Sequence, residues 1–198
     1  MVGCSPRTLG CGVVGGVLDC SQVGVTGEVA HLDLSALPTP VTELRLGGNN
    51  ITLFRPAWLQ GGSALRTLVV ATNALTTLDS AFGNTPALVT LDASNNKITT
   101  LDNAFSNTPA LVTLDASNNA LTTVTADSFD RTPNLASVEL SNNRIVAVAA
   151  DTFRSNPNLT SVSLGGNPAL TTAPGGRTRS CFLSFLCVIR YASTQSPT

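Results

Sequence analysis

The sequence predicts an α/β right-handed solenoid, with a parallel β-sheet on its concave side and turns and short helical pieces on its convex side. Three observations predict it. A fifteen-residue segment recurs almost unchanged, apolar residues fall into columns at a 23- to 24-residue period, and an Asn column and an aromatic column keep that period.

The recurrence is direct. Asn84–Ile98 reads NTPALVTLDASNNKI and Asn107–Leu121 reads NTPALVTLDASNNAL, with thirteen of fifteen positions identical at an offset of 23. Self-similarity at such a period marks a stack of supersecondary units, each unable to bury its apolar side alone. Aligned on LxxLxLxxNxL, six units begin at Val41, Leu65, Leu88, Leu111, Leu135 and Leu159. Residues 41–170 are assigned to them.

Each column has a physical role. A second apolar column is Leu44, Leu68, Leu91, Leu114, Val138 and Val162; a third is Leu46, Val70, Ala93, Ala116, Leu140 and Leu164. The two are spaced by two residues, the period of a short strand, and successive strands stack in parallel about 4.8 Å apart. The polar column is Asn49, Asn73, Asn96, Asn119, Asn143 and Asn167. Here each coil leaves its strand and turns inward, stranding backbone groups away from water. An Asn amide has donors and an acceptor to satisfy them, so this column is expected to form a ladder. Nine or ten residues after the first five Asn come Trp58, Phe82, Phe105, Phe129 and Phe153, expected to stack as an aromatic spine under the convex side.

These residues resemble the leucine-rich-repeat family in the form LxxLxLxxNxLxxLxxxxFxxxxx, over roughly residues 29–170. The period is similar to that of the typical class found in receptor ectodomains and secreted matrix proteins. The resemblance implies a curved solenoid whose concave sheet binds proteins or glycans. Val29, Leu32 and Leu34 read as a first strand lacking its Asn, within a cysteine-bearing, cap-like region of residues 1–40. VLDC at Val17–Cys20 is similar to the end of such a cap, but family caps carry four cysteines, and here there are Cys4, Cys11 and Cys20. Family C-terminal caps often open NPWxCxC; this chain has NPAL from Asn167, then Cys181 and Cys187. Residues 171–198 are read as a tail or an atypical cap, in which the apolar stretch Cys181–Ile189 is placed to cover the last coil.

The cysteines lie only near the two ends. That placement suits disulfide-stapled caps in an oxidising compartment, with Cys4, Cys11, Cys20, Cys181 and Cys187 as candidates. The alternative is unpaired thiols in a cytosolic or truncated protein; five is odd, so one stays free or pairs between chains. Two N-x-T sequons, at Asn50 and Asn158, permit glycosylation. The start, Met1–Cys20, makes a poor signal peptide. No apolar stretch approaches the roughly 20 residues of a membrane-spanning helix.

Chemistry finds no foothold. His31 is the single His, the cysteine spacing lacks the tight pairs of a zinc site, and Gly12–Gly16 lacks the Lys-Ser/Thr of a phosphate loop. No catalysis, cofactor or metal is expected. Charged residues are only 12% of the chain and net charge is −1, from which no nucleic-acid partner is expected.

What remains is a surface. Outward strand positions give one column of Glu43, Thr67, Thr90, Thr113, Ser137 and Ser161, and another of Arg45, Val69, Asp92, Asp115, Glu139 and Ser163. Beyond them lie Gly47, Ala71, Ser94, Ser117, Ser141 and Gly165. The face is small and polar, crossed by an acidic stripe at Asp92, Asp115 and Glu139. A cationic patch on a protein ligand would relieve that stripe; the alternative is that Asp is simply common at this position of the family. The candidate contacts are Glu43, Arg45, Val69, Thr90, Asp92, Thr113, Asp115, Glu139 and Ser163. Thr76-Thr77, Thr99-Thr100 and Thr122-Thr123 are read as solvated turn positions rather than an ice-binding array. The expected function is ligand recognition, of a protein first and a glycan second, outside the cell or at its surface. A sensor fragment of a larger receptor and a cytosolic scaffold are the alternatives, and the sequence fixes no oligomeric state.

Overall fold

The computed structural model describes residues 2–4, 10–35, 37–54, 58–171 and 188–190. Its main sheet has nine strands. Seven are parallel and in unbroken register: Val17–Asp19, Glu43–Arg45, Thr67–Val69, Thr90–Asp92, Thr113–Asp115, Ser137–Glu139 and Ser161–Ser163. Each strand is three residues long, with its central residue buried and its neighbours facing outward. This is the side-chain alternation of a strand with one wet face.

All three apolar columns are buried in one continuous core. Full burial of each Leu or Val contributes about 1.5–3 kcal/mol, offsetting the entropy of ordering a chain with almost no regular helix. The convex side is turns, with two three-residue 3-10 helices at Gly62–Ala64 and Ala126–Ser128. Phe82, Phe105, Phe129 and Phe153 stack, with ring centroids 6.0, 6.0 and 5.3 Å apart. Trp58 departs from the expected five-ring spine. It is buried, but stacks on Phe54 at 4.1 Å and reaches the next coil through Nε1–H, which donates to Ala81 O at 2.7 Å. A buried indole needs an acceptor, and the carbonyl of the following coil supplies it.

The first strand of the parallel run is Val17–Asp19, not the segment carrying Val29, Leu32 and Leu34. That segment does form a strand, Thr26–Asp33, but it pairs with Asn50–Phe54, Leu59–Gln60 and Val2–Cys4 in a separate sheet. It follows the turn out of Val17–Asp19 just as Asn50–Phe54 follows the turn out of Glu43–Arg45.

Both ends of the main sheet are closed by antiparallel strands. At one end Gly12–Val14 folds back on Val17–Asp19. Cys11 and Cys20, the next opposed pair, are disulfide-bonded with Cα atoms 4.5 Å apart. That is the spacing of a non-hydrogen-bonded antiparallel pair, so the bridge fits the hairpin base. At the other end Val188–Arg190 pairs antiparallel with Ser161–Ser163. A parallel stack left open would present an unpaired edge, and these strands occupy both. Cys181 and Cys187 lie outside the described residues.

Candidate functional site

The outward face of the parallel run is the candidate site. Register places Glu43, Thr67, Thr90, Thr113, Ser137 and Ser161 in one row, and Arg45, Val69, Asp92, Asp115, Glu139 and Ser163 in another. Asp19 precedes Arg45 in the second row. Sequence reading missed it by placing the first strand later in the chain.

What holds this face in shape is the hydrogen bonding beneath it. Each ladder Asn works across one coil boundary. Asn96 Nδ2 donates to Val70 O of the preceding coil and to Ala93 O and Ser94 O of its own, while its Oδ1 accepts the Leu75 N–H. Asn49, Asn73, Asn119, Asn143 and Asn167 repeat the set, from Val25 N–H and Cys20 O at one end to Ile145 N–H and Leu140 O at the other. The residue before each ladder Asn has positive φ: Gly48, Thr72, Asn95, Asn118, Asn142 and Gly166. Every coil therefore turns by the same left-handed step.

The acidic residues are tied to the same turn. The Ser94, Ser117 and Ser141 N–H groups donate to Asp92, Asp115 and Glu139, at 3.0, 2.9 and 3.1 Å. Asp19 does likewise for Ser21 at 2.9 Å. The backbone and side-chain hydrogen bonds from Ser21, and the charge of Arg45 more weakly, hold the Asp19 carboxyl below the usual range. Each aspartate thus closes an Asx turn, Glu139 closes a ring one carbon larger, and all keep other lone pairs for solvent or a ligand. Arg45 Nε donates to Glu43 at 2.6 Å, and its Nη1 lies 3.7 Å from Asp19. The one cation of the two columns is therefore internally matched, whereas the stripe Asp92, Asp115, Glu139 has a charge of one sign.

Other positions lie apart from this face. Asn50 is exposed at the start of the strand Asn50–Phe54, just after the chain leaves this face, and Asn158 is exposed on the turn that enters it. His31 is half-buried in Thr26–Asp33, on the second sheet. Two surface grooves, one at Asn103, Asp127 and Arg131 and one at Gln60, Asn84 and Asn107, lie off the main sheet. Among the described residues no three His, Cys, Asp or Glu side chains gather as for a metal, and no helix is long and apolar enough to cross a membrane.

Stacked coils with an Asn ladder, a phenylalanine column and one wet parallel sheet define a repeat solenoid. A family model described as Leucine rich repeat matches residues 39–98, 79–121 and 100–145, and the chain belongs to the leucine-rich-repeat family. No curated protein matches it. Among solved structures it is similar to a chain of "Structure of the Toll - Spatzle complex, a molecular hub in Drosophila development and innate immunity", with TM-score 0.55 and 20% identity, covering 68% of this chain and 25% of that one. It is also similar to a chain of "Crystal structure of TLR13-ssRNA13 complex", with TM-score 0.52 and 20% identity, covering 71% and 27%. The chain thus spans about a quarter of each matched solenoid. These likenesses share a fold.

The second of them corrects one expectation. Low net charge was expected to rule out a nucleic-acid partner, yet a solenoid of the same fold is found in complex with ssRNA. Net charge sums over a whole surface, whereas strand recognition needs only a local groove and stacking groups. The exclusion is withdrawn.

Proposed function

We propose that the chain is a recognition module, not an enzyme, that holds a macromolecular ligand on its concave sheet, outside the cell or at its surface. The observation that supports this most is the face itself: parallel strands in register, their turns held by the Asn ladder and the outward Asp92, Asp115 and Glu139 held by Ser N–H groups. A pre-organised face loses little entropy on binding.

The ligand that fits first is a protein with a cationic patch. Asp92, Asp115 and Glu139 stand on adjacent strands, where like charges repel by about 1 kcal/mol per pair in water, and a basic partner relieves this. Thr90, Thr113 and Ser163 add hydroxyls, and Glu43 and Arg45 extend the polar surface past Val69. The same hydroxyls and carboxylates suit a glycan as the second choice. That a solenoid of this fold is found in complex with the protein Spatzle agrees with a protein ligand. The disulfide between Cys11 and Cys20 agrees with an oxidising compartment.

The test is differential capture from cell-surface and secreted proteins. The intact chain is compared with a concave variant carrying Asp92→Lys, Asp115→Lys and Glu139→Lys, and with an outer-side variant, Asp79→Lys. A basic protein held by the intact chain and by Asp79→Lys, but lost from the concave variant, is the expected result. Equal capture by the concave variant would place binding on another surface.

A further inference from the structure

We infer that Asn50 and Asn158 are acceptor sites for N-linked glycans, placed so that both glycans stand off the concave sheet. The inference rests on the extracellular reading for its biological setting, and on geometry for its sites.

Each sequon has its central residue anchored in the core. In Asn50-Ile51-Thr52 the central Ile51 is buried, Asn50 is exposed and Thr52 is half-buried. In Asn158-Leu159-Thr160 the central Leu159 is buried, while Asn158 and Thr160 are exposed. Along the strand Asn50–Phe54 side chains alternate, so anchoring Ile51 in the core turns Asn50 and Thr52 outward together, whereas Asn158 is exposed on the turn before Leu159. The backbone beneath is fixed: Asn50 N–H donates to Val25 O at 2.8 Å, and Thr160 N–H to Ala136 O at 2.9 Å. A folded coil can therefore carry a bulky polar group at either Asn without disturbing the core.

Asn158 also departs from its own structural column. Asn134 occupies the equivalent place and donates Nδ2 to the preceding coil, to Pro109 O at 3.0 Å. The Asn158 Nδ2 contact with Pro133 O is 3.4 Å, at the outer limit of a hydrogen bond. Its amide nitrogen is thus the less engaged of the two. In the transfer, Nδ2 bonds to C1 of an oligosaccharide carried on a lipid diphosphate. The bond from C1 to the diphosphate oxygen breaks, the lipid diphosphate leaves with the electron pair, and the amide loses one proton.

The two positions lie on opposite rims. Asn50 directly follows ladder residue Asn49, where the chain leaves Glu43–Arg45. Asn158 lies just before Ser161–Ser163, where the chain enters the last parallel strand. Neither belongs to an outward column of the sheet, so glycans there leave the proposed ligand face bare.

The test expresses the full chain in eukaryotic cells behind a supplied cleavable signal sequence and measures intact mass before and after peptide-N-glycosidase treatment. In the signal-bearing chain two glycan steps are expected; Asn50→Gln and Asn158→Gln should each remove one, and the double variant both. Occupancy is read on translocated chain, so it does not depend on variant stability. No step in translocated chain overturns the inference, and a single step overturns it for the site that stays bare. Two steps in the signal-bearing chain, with no cell-surface or secreted protein held by the intact chain in the capture comparison, would uphold the acceptor sites and sink the extracellular reading instead.

Discussion

Asn119 and Ile98 meet across a coil boundary: the Asn119 Oδ1 accepts the Ile98 backbone N–H at 3.0 Å. The same amide donates to Ala93 O, Ala116 O and Ser117 O. Asn119→Ala removes every one of these bonds; Ala93 O and Ala116 O keep Asn96 and Asn143 Nδ2 and Ser117 O keeps the Asn95 N–H, but the Ile98 N–H is left unpaired, at about 1–3 kcal/mol for a group truly cut off from water. We expect a loss of about 2–3 kcal/mol, measured by urea unfolding. Trp58, the single Trp, is buried and reports the transition by fluorescence. Asn119→Asp keeps the acceptor, loses the donors and adds a buried charge, and should be no better than Ala. A loss below about 1 kcal/mol would mean that water replaces the ladder.

Thr72 is the one β-branched residue in the left-handed column before the ladder Asn, with φ of 56°. A β-branched side chain is strained there by about 1–2 kcal/mol. Thr72→Asn matches Asn95 and Asn118 in the same column, and should raise the urea midpoint by the equivalent of about 1 kcal/mol. The opposite change, Gly166→Ala, should destabilise, because the new Cβ would collide with Asn142 Oδ1. If both variants matched the parent, the shared turn geometry would not constrain the coils.

The Cys11–Cys20 bridge closes a short loop at the base of the leading hairpin. By loop-closure entropy it should contribute about 2–3 kcal/mol. Non-reducing peptide mapping of the secreted chain should recover these two cysteines linked. The double variant Cys11→Ser, Cys20→Ser should lose that stability and expose the edge of Val17–Asp19. Five free thiols in the folded protein would remove the staple and the compartment inferred from it.

Asp19 gives a pH signature. Its folded pKa is depressed, chiefly by the hydrogen bonds from Ser21. Its contribution is therefore present above the unfolded value of about 3.9 and is lost as pH falls through the lower folded value. The stability difference between the parent chain and Asp19→Ala should be constant near neutrality and shrink below about pH 4, in urea titrations at fixed low salt. A difference that persists unchanged into strong acid would assign the effect to packing.

The columns were legible because each buried position is filled by one residue type for one reason. Leu44, Asn49 and Phe82 recur because core, turn and spine recur, and a 23- to 24-residue period in three independent columns leaves little freedom. The leading coil was not legible. Val17–Asp19 sits 26 residues before Glu43–Arg45, outside the period, and its turn carries no Asn in the ladder place. The closing strands Gly12–Val14 and Val188–Arg190 are too short to show a period at all. Trp58 was legible as core but not in its stacking, since its Nε1–H seeks a carbonyl that the Phe residues do not need. The acidic stripe was legible as charge, whereas its bonds to the Ser N–H groups were not drawn from Asp92-Ala93-Ser94, though that spacing is an Asx-turn signature.

Those bonds give Asp115 two roles that substitution can separate. Its Oδ1 accepts the Ser117 N–H at 2.9 Å, and its charge lies beside Asp92 and Glu139 on the neighbouring strands. Asp115→Asn keeps the acceptor and removes the repulsion, so stability should be unchanged or rise by up to about 1 kcal/mol at low salt. Asp115→Ala removes the acceptor too, and should fall below Asp115→Asn by about 0.5–1.5 kcal/mol. Both variants lose the same charge, so both should weaken a cationic ligand alike despite their different stabilities. If Asp115→Asn instead bound as tightly as the parent while Asp115→Ala did not, the carboxylate would serve the turn alone, and recognition would rest on the backbone shape it maintains.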